Sequence, residues 1–465
     1  MSARDAASYR AAVASALESG GRFGGLHASE GGGVVRAALI SPDGAVDLVS
    51  VAGDGRVVPT IVDLVPAAGW DEREARDLYG VRFDGHEPHR PLVDHGGALA
   101  DWTVPVQGHD AYQVAVGPIH AGVIESGHFR FHVVGDRILH LDARLFYKHR
   151  GLERAAEGAT LEEGARYVGR ACAACAVASG LAYAHACEES LGLEPPRELA
   201  RARTILLELE RTWSHLNDVA AVCAGVGLAA GNMHFAALTE RARRLNQHLA
   251  GHRLLFGAVT VGGSSLELDA ASVREARDEL DELRAAADSG WRELRFNASF
   301  QDRLPDVGIV GPEDVLRLGT VGPAARAAGV AVDARAAASR LDYPEFEPVT
   351  PHEPAGDVRA RLDQRMLELH QSLDVLERLL DRPVAPAAAA RTGREAPVGT
   401  GLVESARGGT LCVVERKAGR LGRVRLRTGS YANWPSVAFA AADNLLPDFP
   451  LINKSFELCY ACADR

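Results

Sequence analysis

Four of the chain's seven cysteines fall into two Cys-x-x-Cys pairs: Cys172 and Cys175 in Arg170-Ala171-Cys172-Ala173-Ala174-Cys175, and Cys459 and Cys462 in Leu458-Cys459-Tyr460-Ala461-Cys462. Two intervening residues let both thiolates of a pair reach one metal from a tight turn or a helix start. Four thiolates together form a soft site suited to Zn, an iron–sulfur cluster or a Ni–Fe centre. The cysteines are too few and too unevenly spaced for a secreted disulfide framework, and in a reducing cytoplasm such pairs more often bind metal. Zinc ribbons are small local units, whereas these pairs bracket nearly a whole domain. A site shared between them forms only once that domain has folded. Cys187, Cys223 and Cys412 stand alone in apolar settings and read as buried thiols.

The elements that must position these groups fall into two parts. At 465 residues the chain is too long for one ordinary core. Residues 1 to about 105 read as a small mixed α/β domain. Val34 to Ser41 is β-prone, Pro42-Asp43-Gly44 is a turn signal, and Ala45 to Val51 resumes as a strand, which predicts a hairpin. In Trp70 to Gly80, Asp71 is expected to cap a short helix with Glu74 reaching back to it, and Gly80 to end it. From about residue 112 to 465 a larger domain is expected. Two β-like stretches, Gln113 to Gly117 and His128 to Val134, lead into long helices. Leu199 to Val222 carries Ala202, Leu206, Leu209, Trp213, Leu216 and Ala220 on one stripe. Leu362, Met366, Leu369, Leu373, Leu376 and Leu380 repeat at steps of four and three. Leu341 to Pro354 and Pro383 to Gly401 read as loops. The fold class is therefore α+β: a small mixed domain, then a mainly helical one with a small β portion.

Composition narrows the function. A net charge of −11 argues against nucleic acid as the main partner, because a phosphate backbone needs a basic face. No run of about 18 uncharged apolar residues occurs, and the first residues lack the apolar stretch of a signal peptide. A cytoplasmic protein is expected.

The arrangement of the two pairs resembles the large subunit of [NiFe]-hydrogenases, in which an N-terminal and a C-terminal Cys-x-x-Cys together hold the active site. Further segments agree in order: Gly117-Pro118-Ile119-His120, Glu125-Ser126-Gly127-His128-Phe129-Arg130, His149-Arg150-Gly151-Leu152-Glu153, Leu206 to Arg211 with Ser214-His215-Leu216, Val321-Gly322-Pro323 through Arg335, Glu404-Ser405-Ala406-Arg407-Gly408, and Tyr431-Ala432-Asn433-Trp434-Pro435. This part resembles the energy-converting, formate hydrogenlyase branch and is related to the 49 kDa subunit of complex I. The Glu-Arg-Glu-x-x-Asp element at residues 72–77, with Phe83-Asp84-Gly85-His86, resembles the 30 kDa soluble-arm subunit of complex I.

The resemblance implies a Ni–Fe centre whose iron carries CO and cyanide. Cys172 and Cys459 would be terminal ligands, and Cys175 and Cys462 would bridge. It places Arg407 beside the metals and Glu125 as the proton acceptor; the bland alternatives are a surface salt bridge and an ordinary capping residue. Glu153 resembles a glutamate near an additional structural divalent metal, with a helix-end salt bridge as the alternative, and His120 corresponds to a quinone-side histidine of complex I. Implied partners are an iron–sulfur small subunit of the complex I type, integral membrane subunits and maturation proteins, with the chain bound peripherally to the cytoplasmic membrane. In this branch a C-terminal extension is cut after an arginine shortly beyond the last pair, and Asp464-Arg465 stands where such a mature form stops. The pattern departs from the family at Ala173, Ser179, Leu458 and Ala406, where glycine, histidine and two prolines are usual. Such neighbours orient ligands. Two other readings therefore stay open: a complex-I-like NADH:quinone oxidoreductase electron-transfer subunit, and a scaffold whose cysteines hold Zn or no metal.

Overall fold

A computed structural model describes residues 5–465 except 54, 56, 98, 121–123 and 344. Pro344, inside the expected Leu341–Pro354 loop, thus lies outside the described residues. Helix α1 (Ala6–Glu18) is capped by Asp5, whose carboxylate accepts from the Ser8 N–H at 2.8 Å. It packs on an antiparallel sheet of β1 (Arg22–Ser29), β2 (Val34–Ile40) and β3 (Val46–Ala52). The expected hairpin is β2–β3, with Ile40 opposite Val46 and Gly44 in the left-handed region at φ 84°. Leu48 to Val51 are all buried rather than alternating, because this sheet is covered on both faces.

Helix α2 (Gly69–Tyr79) ends at Gly80 as expected, with φ 68°. Its start differs from the sequence expectation. The cap position is Ala68, and Asp71 and Glu74 lie inside the helix, buried. Neither carboxylate caps the helix because both are engaged by arginines from the far end of the chain, as described below.

A second antiparallel meander follows, with β4 (Tyr112–Val116) and β5 (His128–Val134) at the two β-like stretches and β6 (Arg137–Arg144) beyond them. After the short helix α3 (Leu152–Ala156) come the long ones: α4 (Ala176–Leu191), α5 (Arg197–Gly225), α6 (Ala229–Ala250), α7 (Ala270–Phe296) and α8 (Val358–Leu379). The predicted stripes of α5 and α8 are buried and share one core. A third meander, β7 (Val398–Ser405), β8 (Gly408–Lys417) and β9 (Arg420–Arg427), precedes α9 (Gly429–Ala441), α10 (Phe449–Phe456) and α11 (Tyr460–Asp464). The expected loop from Pro383 to Gly401 therefore ends four residues early, at Pro397. With 46% helix and 19% strand, the class is α+β.

Strand alternation places the third sheet between two layers. On β8, Leu411 and Val413 meet Ala38 and Leu48 of the first sheet, while Cys412 and Val414 join the helical core against α4. Helix α4 can lie this close to β7 because Gly399 and Gly401 have no side chains. A Cβ on Gly401 would sit 2.0 Å from the Ala182 carbonyl oxygen. Gly401→Ala is therefore expected to push α4 off the sheet at a cost of about 1–3 kcal/mol, read as a lower thermal midpoint. An unchanged midpoint would mean the helix yields freely at this contact.

Candidate metal centre

Both cysteine pairs sit at helix starts. Cys175 is the residue before α4, and the backbone N–H of Ala174 points at Cys172 Sγ at 3.1 Å. Cys459 is the cap of α11, its sulfur accepting from the Cys462 N–H at 3.4 Å. The Cys462 N–H aimed at Cys459 favours that thiolate, the form that binds metal. The two starts face each other. Ligand atoms of Cys172, Cys459 and Cys462 all lie within 4.8 Å of one another, and Cys175, outside that tight group of three, packs in the same buried cluster. Among the described residues these four form one buried cluster, with Cys462 fully buried and Cys459 at its open edge.

Their protons are shared unequally. Hydrogen bonds from the Cys172 and Cys462 thiols hold Cys175 and Cys459 well below the usual thiol range. Donating to those neighbours holds Cys172 and Cys462 well above it. This donor set consists of soft sulfur ligands that release protons when a cation enters.

Supports for the cluster come from α5 and the turn after β7. Glu210 on α5 accepts from Val177 N–H at 2.6 Å and Ala178 N–H at 3.1 Å, closing the α4 start just beyond Cys175. Burial, then the nearby Cys175 sulfur, pushes its carboxyl well above the usual range. Arg407 is buried rather than on the surface. Its Nη2 donates to Asp218 Oδ1 at 2.7 Å and its Nε to the Glu457 carbonyl at 3.1 Å. Burial disfavours its charge, but Asp218 and Cys175 outweigh that and raise its pKa. Its Nη1 is buried with no hydrogen-bond partner among the described residues. An unpaired cationic donor beside four thiols fits a site made to hold an anion-carrying metal group.

Glu125 lies at the open edge, Oε2 at 3.9 Å from Cys459 Sγ, accepting from the Ala461 N–H at 2.9 Å. Burial and then Cys459 raise its pKa. Above it opens a cavity of about 670 Å³ lined by Arg407 and Cys459 and, around them, by Lys148, Arg243, Arg253 and Lys454. Two sequence candidates lie elsewhere. His120 hydrogen-bonds the Gly127 carbonyl at 2.7 Å. Glu153 meets Arg465 at 3.0 Å through one oxygen and Arg423 at 2.9 Å through the other. The chain's own guanidinium groups thus occupy Glu153, in agreement with the salt-bridge alternative rather than with an additional divalent metal. Glu210, Asp218 and Glu457 were not singled out by sequence.

A four-thiol cluster assembled from both ends of a helical core is a donor set that could hold a metal, built unlike a small local zinc ribbon. Residues 226–392 match the family model of the respiratory-chain NADH dehydrogenase 49 kDa subunit, and residues 35–107 that of its 30 kDa subunit. Formate hydrogenlyase subunit 5 of Escherichia coli K12 is 30% identical, covering 88% of this chain and 77% of the relative. Hydrogenase-4 component G of the same organism is 32% identical, covering 89% and 77%. Among solved structures, the membrane-bound sulfane sulfur reductase, an archaeal respiratory membrane complex, contains a chain with TM-score 0.70 and 26% identity, covering 77% of this chain and 99% of that one. The chain belongs to the family of formate hydrogenlyase subunit 5 and hydrogenase-4 component G, the complex-I-related large subunits of membrane-bound hydrogenases.

Proposed function

We propose that this chain is the catalytic large subunit of a membrane-associated [NiFe]-hydrogenase, an oxidoreductase interconverting dihydrogen with protons and electrons. The observation that carries this reading is the burial of four cysteine sulfurs, from residues nearly 290 positions apart, in one cluster. Cys172, Cys175, Cys459 and Cys462 would hold the two metals. Bound there, nickel and iron with CO and cyanide supply the electron-rich centre that dihydrogen activation requires.

The remaining work falls to the chain. Asp218 fixes the Arg407 guanidinium so that its free Nη1 can hold an anionic ligand of the centre in one orientation. Glu125, with a carboxyl already raised by burial and Cys459, takes or returns a proton beside Cys459 at the cavity wall. Glu210 keeps the α4 start, and with it Cys175, in place.

Electrons must leave this buried site. Apart from the four ligands the chain has only three separate cysteines, each buried, so an iron–sulfur small subunit of the complex I type supplies the route, docking at the cation-lined cavity. No described helix is long and apolar enough to cross a membrane. Integral membrane subunits then provide the attachment, on the cytoplasmic side, and maturation proteins install the metals. The chain divides into a complex I 30 kDa-like domain, residues 1–105, and a catalytic domain, 112–465.

Metal analysis of the purified complex, with infrared spectroscopy, tests the assignment. Nickel and iron near one per chain with CO and cyanide bands are expected. Stoichiometric zinc without those bands would replace this function with the scaffold reading.

A further inference from the structure

Strand β9 carries arginines at alternate positions, so Arg423, Arg425 and Arg427 project to one face, opposite Val424 and Leu426 in the core. All three are buried, and Arg465, three residues beyond Cys462, is buried beside them. Four guanidinium groups cannot be buried together without counter-charges. Glu153 supplies one. The other two come from α2: Asp71 meets Arg425 at 2.8 Å and Arg427 at 3.1 Å, and Glu74 meets Arg425 at 2.5 Å and Arg465 at 2.6 Å. The Tyr431 ring lies under Arg465 at 4.7 Å and under Arg425 at 5.2 Å.

We infer that Glu74 is a positioning residue for the second cysteine pair, holding it in place through Arg465 and helix α11. The segment has backbone ties as well. Asp464 accepts from the N–H groups of Phe146 and Lys148 at 2.8 Å, and Thr428 Oγ1 donates to the Cys462 carbonyl at 3.1 Å. These ties fix the height of the turn. The Glu74–Arg465 pair adds the charged anchor at its far end. Without Glu74, four arginines face two carboxylates, and Arg465 keeps as its one carboxylate Glu153, which it already shares with Arg423, beside the Leu426 carbonyl at 2.6 Å. Expelling one guanidinium relieves this repulsion, and Arg465 is the one that follows a five-residue helix rather than lying on a strand. The N-terminal part of the molecule is thereby coupled to the geometry of Cys459 and Cys462, two of the ligands in the function proposed above, on which the metal half of the inference rests.

The test uses the full chain under anaerobic conditions, without nickel or iron. Amide hydrogen exchange is followed in residues 458–465 and in β1–β3, and cobalt(II) alone is titrated while thiolate-to-cobalt absorption is recorded. Glu74→Gln is expected to speed exchange in 458–465 at least tenfold and weaken cobalt binding at least tenfold, with β1–β3 unchanged. Glu74→Asp is expected to restore most of both. Wild-type exchange in 458–465 of the Gln variant overturns the inference. Should that variant lose protection throughout, Arg465→Gln decides: loss confined to 458–465 supports the anchor, and either wild-type protection or general loss overturns it. Hydrogen exchange needs no metal, so a protein that turned out to carry zinc would fail the hydrogenase reading while leaving this result intact.

Discussion

Cys462→Ser is expected to abolish nickel retention while the first sheet keeps its fold. The sulfur lies within 4.8 Å of the Cys172 and Cys459 sulfurs, in one cluster with Cys175, and is the most deeply buried of the four. A serine hydroxyl there stays protonated at neutral pH, offers a hard donor in place of a soft one, and has a shorter reach. Little else depends on the side chain: the α11 start is capped by Cys459, and the Cys462 carbonyl is held by Thr428. The core of the first sheet, from Tyr9 to Phe83, forms its own cluster and does not include the cysteines. Cys412→Ser is the matched control. That thiol is equally buried, on β8 against α4, and belongs to the helical core rather than to the thiol cluster. Its loss is expected to lower stability modestly and to leave nickel bound. Nickel per folded chain, measured in both variants, checks the assignment. Full nickel in the Cys462 variant would remove this residue from the ligand set.

What made the site legible was cysteine spacing, and what hid its supports was helical periodicity. The apolar stripe of α5 from Ala202 to Ala220 was readable because six residues recur at helical steps and bury together. The same helix carries Glu208, Arg211, His215 and Asp218, also at steps of three and four. By itself such a stripe signals a solvent-facing side. In the fold it is covered by α8 and the end of β7, where Arg211 donates to the Ser405 and Glu404 carbonyls and His215 meets Glu368. Charge recurring on both faces of a helix that also has a strong apolar stripe was the available clue. Local pattern cannot say which distant element covers the second face.

The same reason explains the α2 start. Asp71 followed three residues later by Glu74 has the spacing of a capping pair, and in a free helix would act as one. Arginines some 350 residues away draw both carboxylates inward. Strand β9 gave the matching hint: three arginines at every second position imply a charged face, which was exposed or paired with acids elsewhere in the chain. The hairpin and the helix end at Gly80 were readable because their determinants are local.

Arg407 shows how the buried network bears on chemistry, and two substitutions separate its contributions. Arg407→Ala leaves the buried carboxylate of Asp218 with Arg365 at 3.0 Å and His215 at 3.5 Å as its partners, having lost the 2.7 Å contact. Breaking a buried pair from one side costs about 3–5 kcal/mol, so a clear fall in thermal midpoint is expected. Arg407→Lys keeps the positive charge near Asp218 but loses the planar fork. An ammonium that turns toward Asp218 cannot also present a fixed donor where Nη1 now stands free. Removing one preorganised donor from a reacting site lowers turnover about a hundred- to a thousandfold. The Lys variant is therefore expected to keep its nickel and nearly all of its stability while losing dihydrogen turnover by that factor. Nickel content, thermal midpoint and turnover, measured on the same preparation, give the comparison. Near-wild-type turnover in the Lys variant would show that the free Nη1 has no part in the reaction, leaving Arg407 only the structural task of neutralising Asp218.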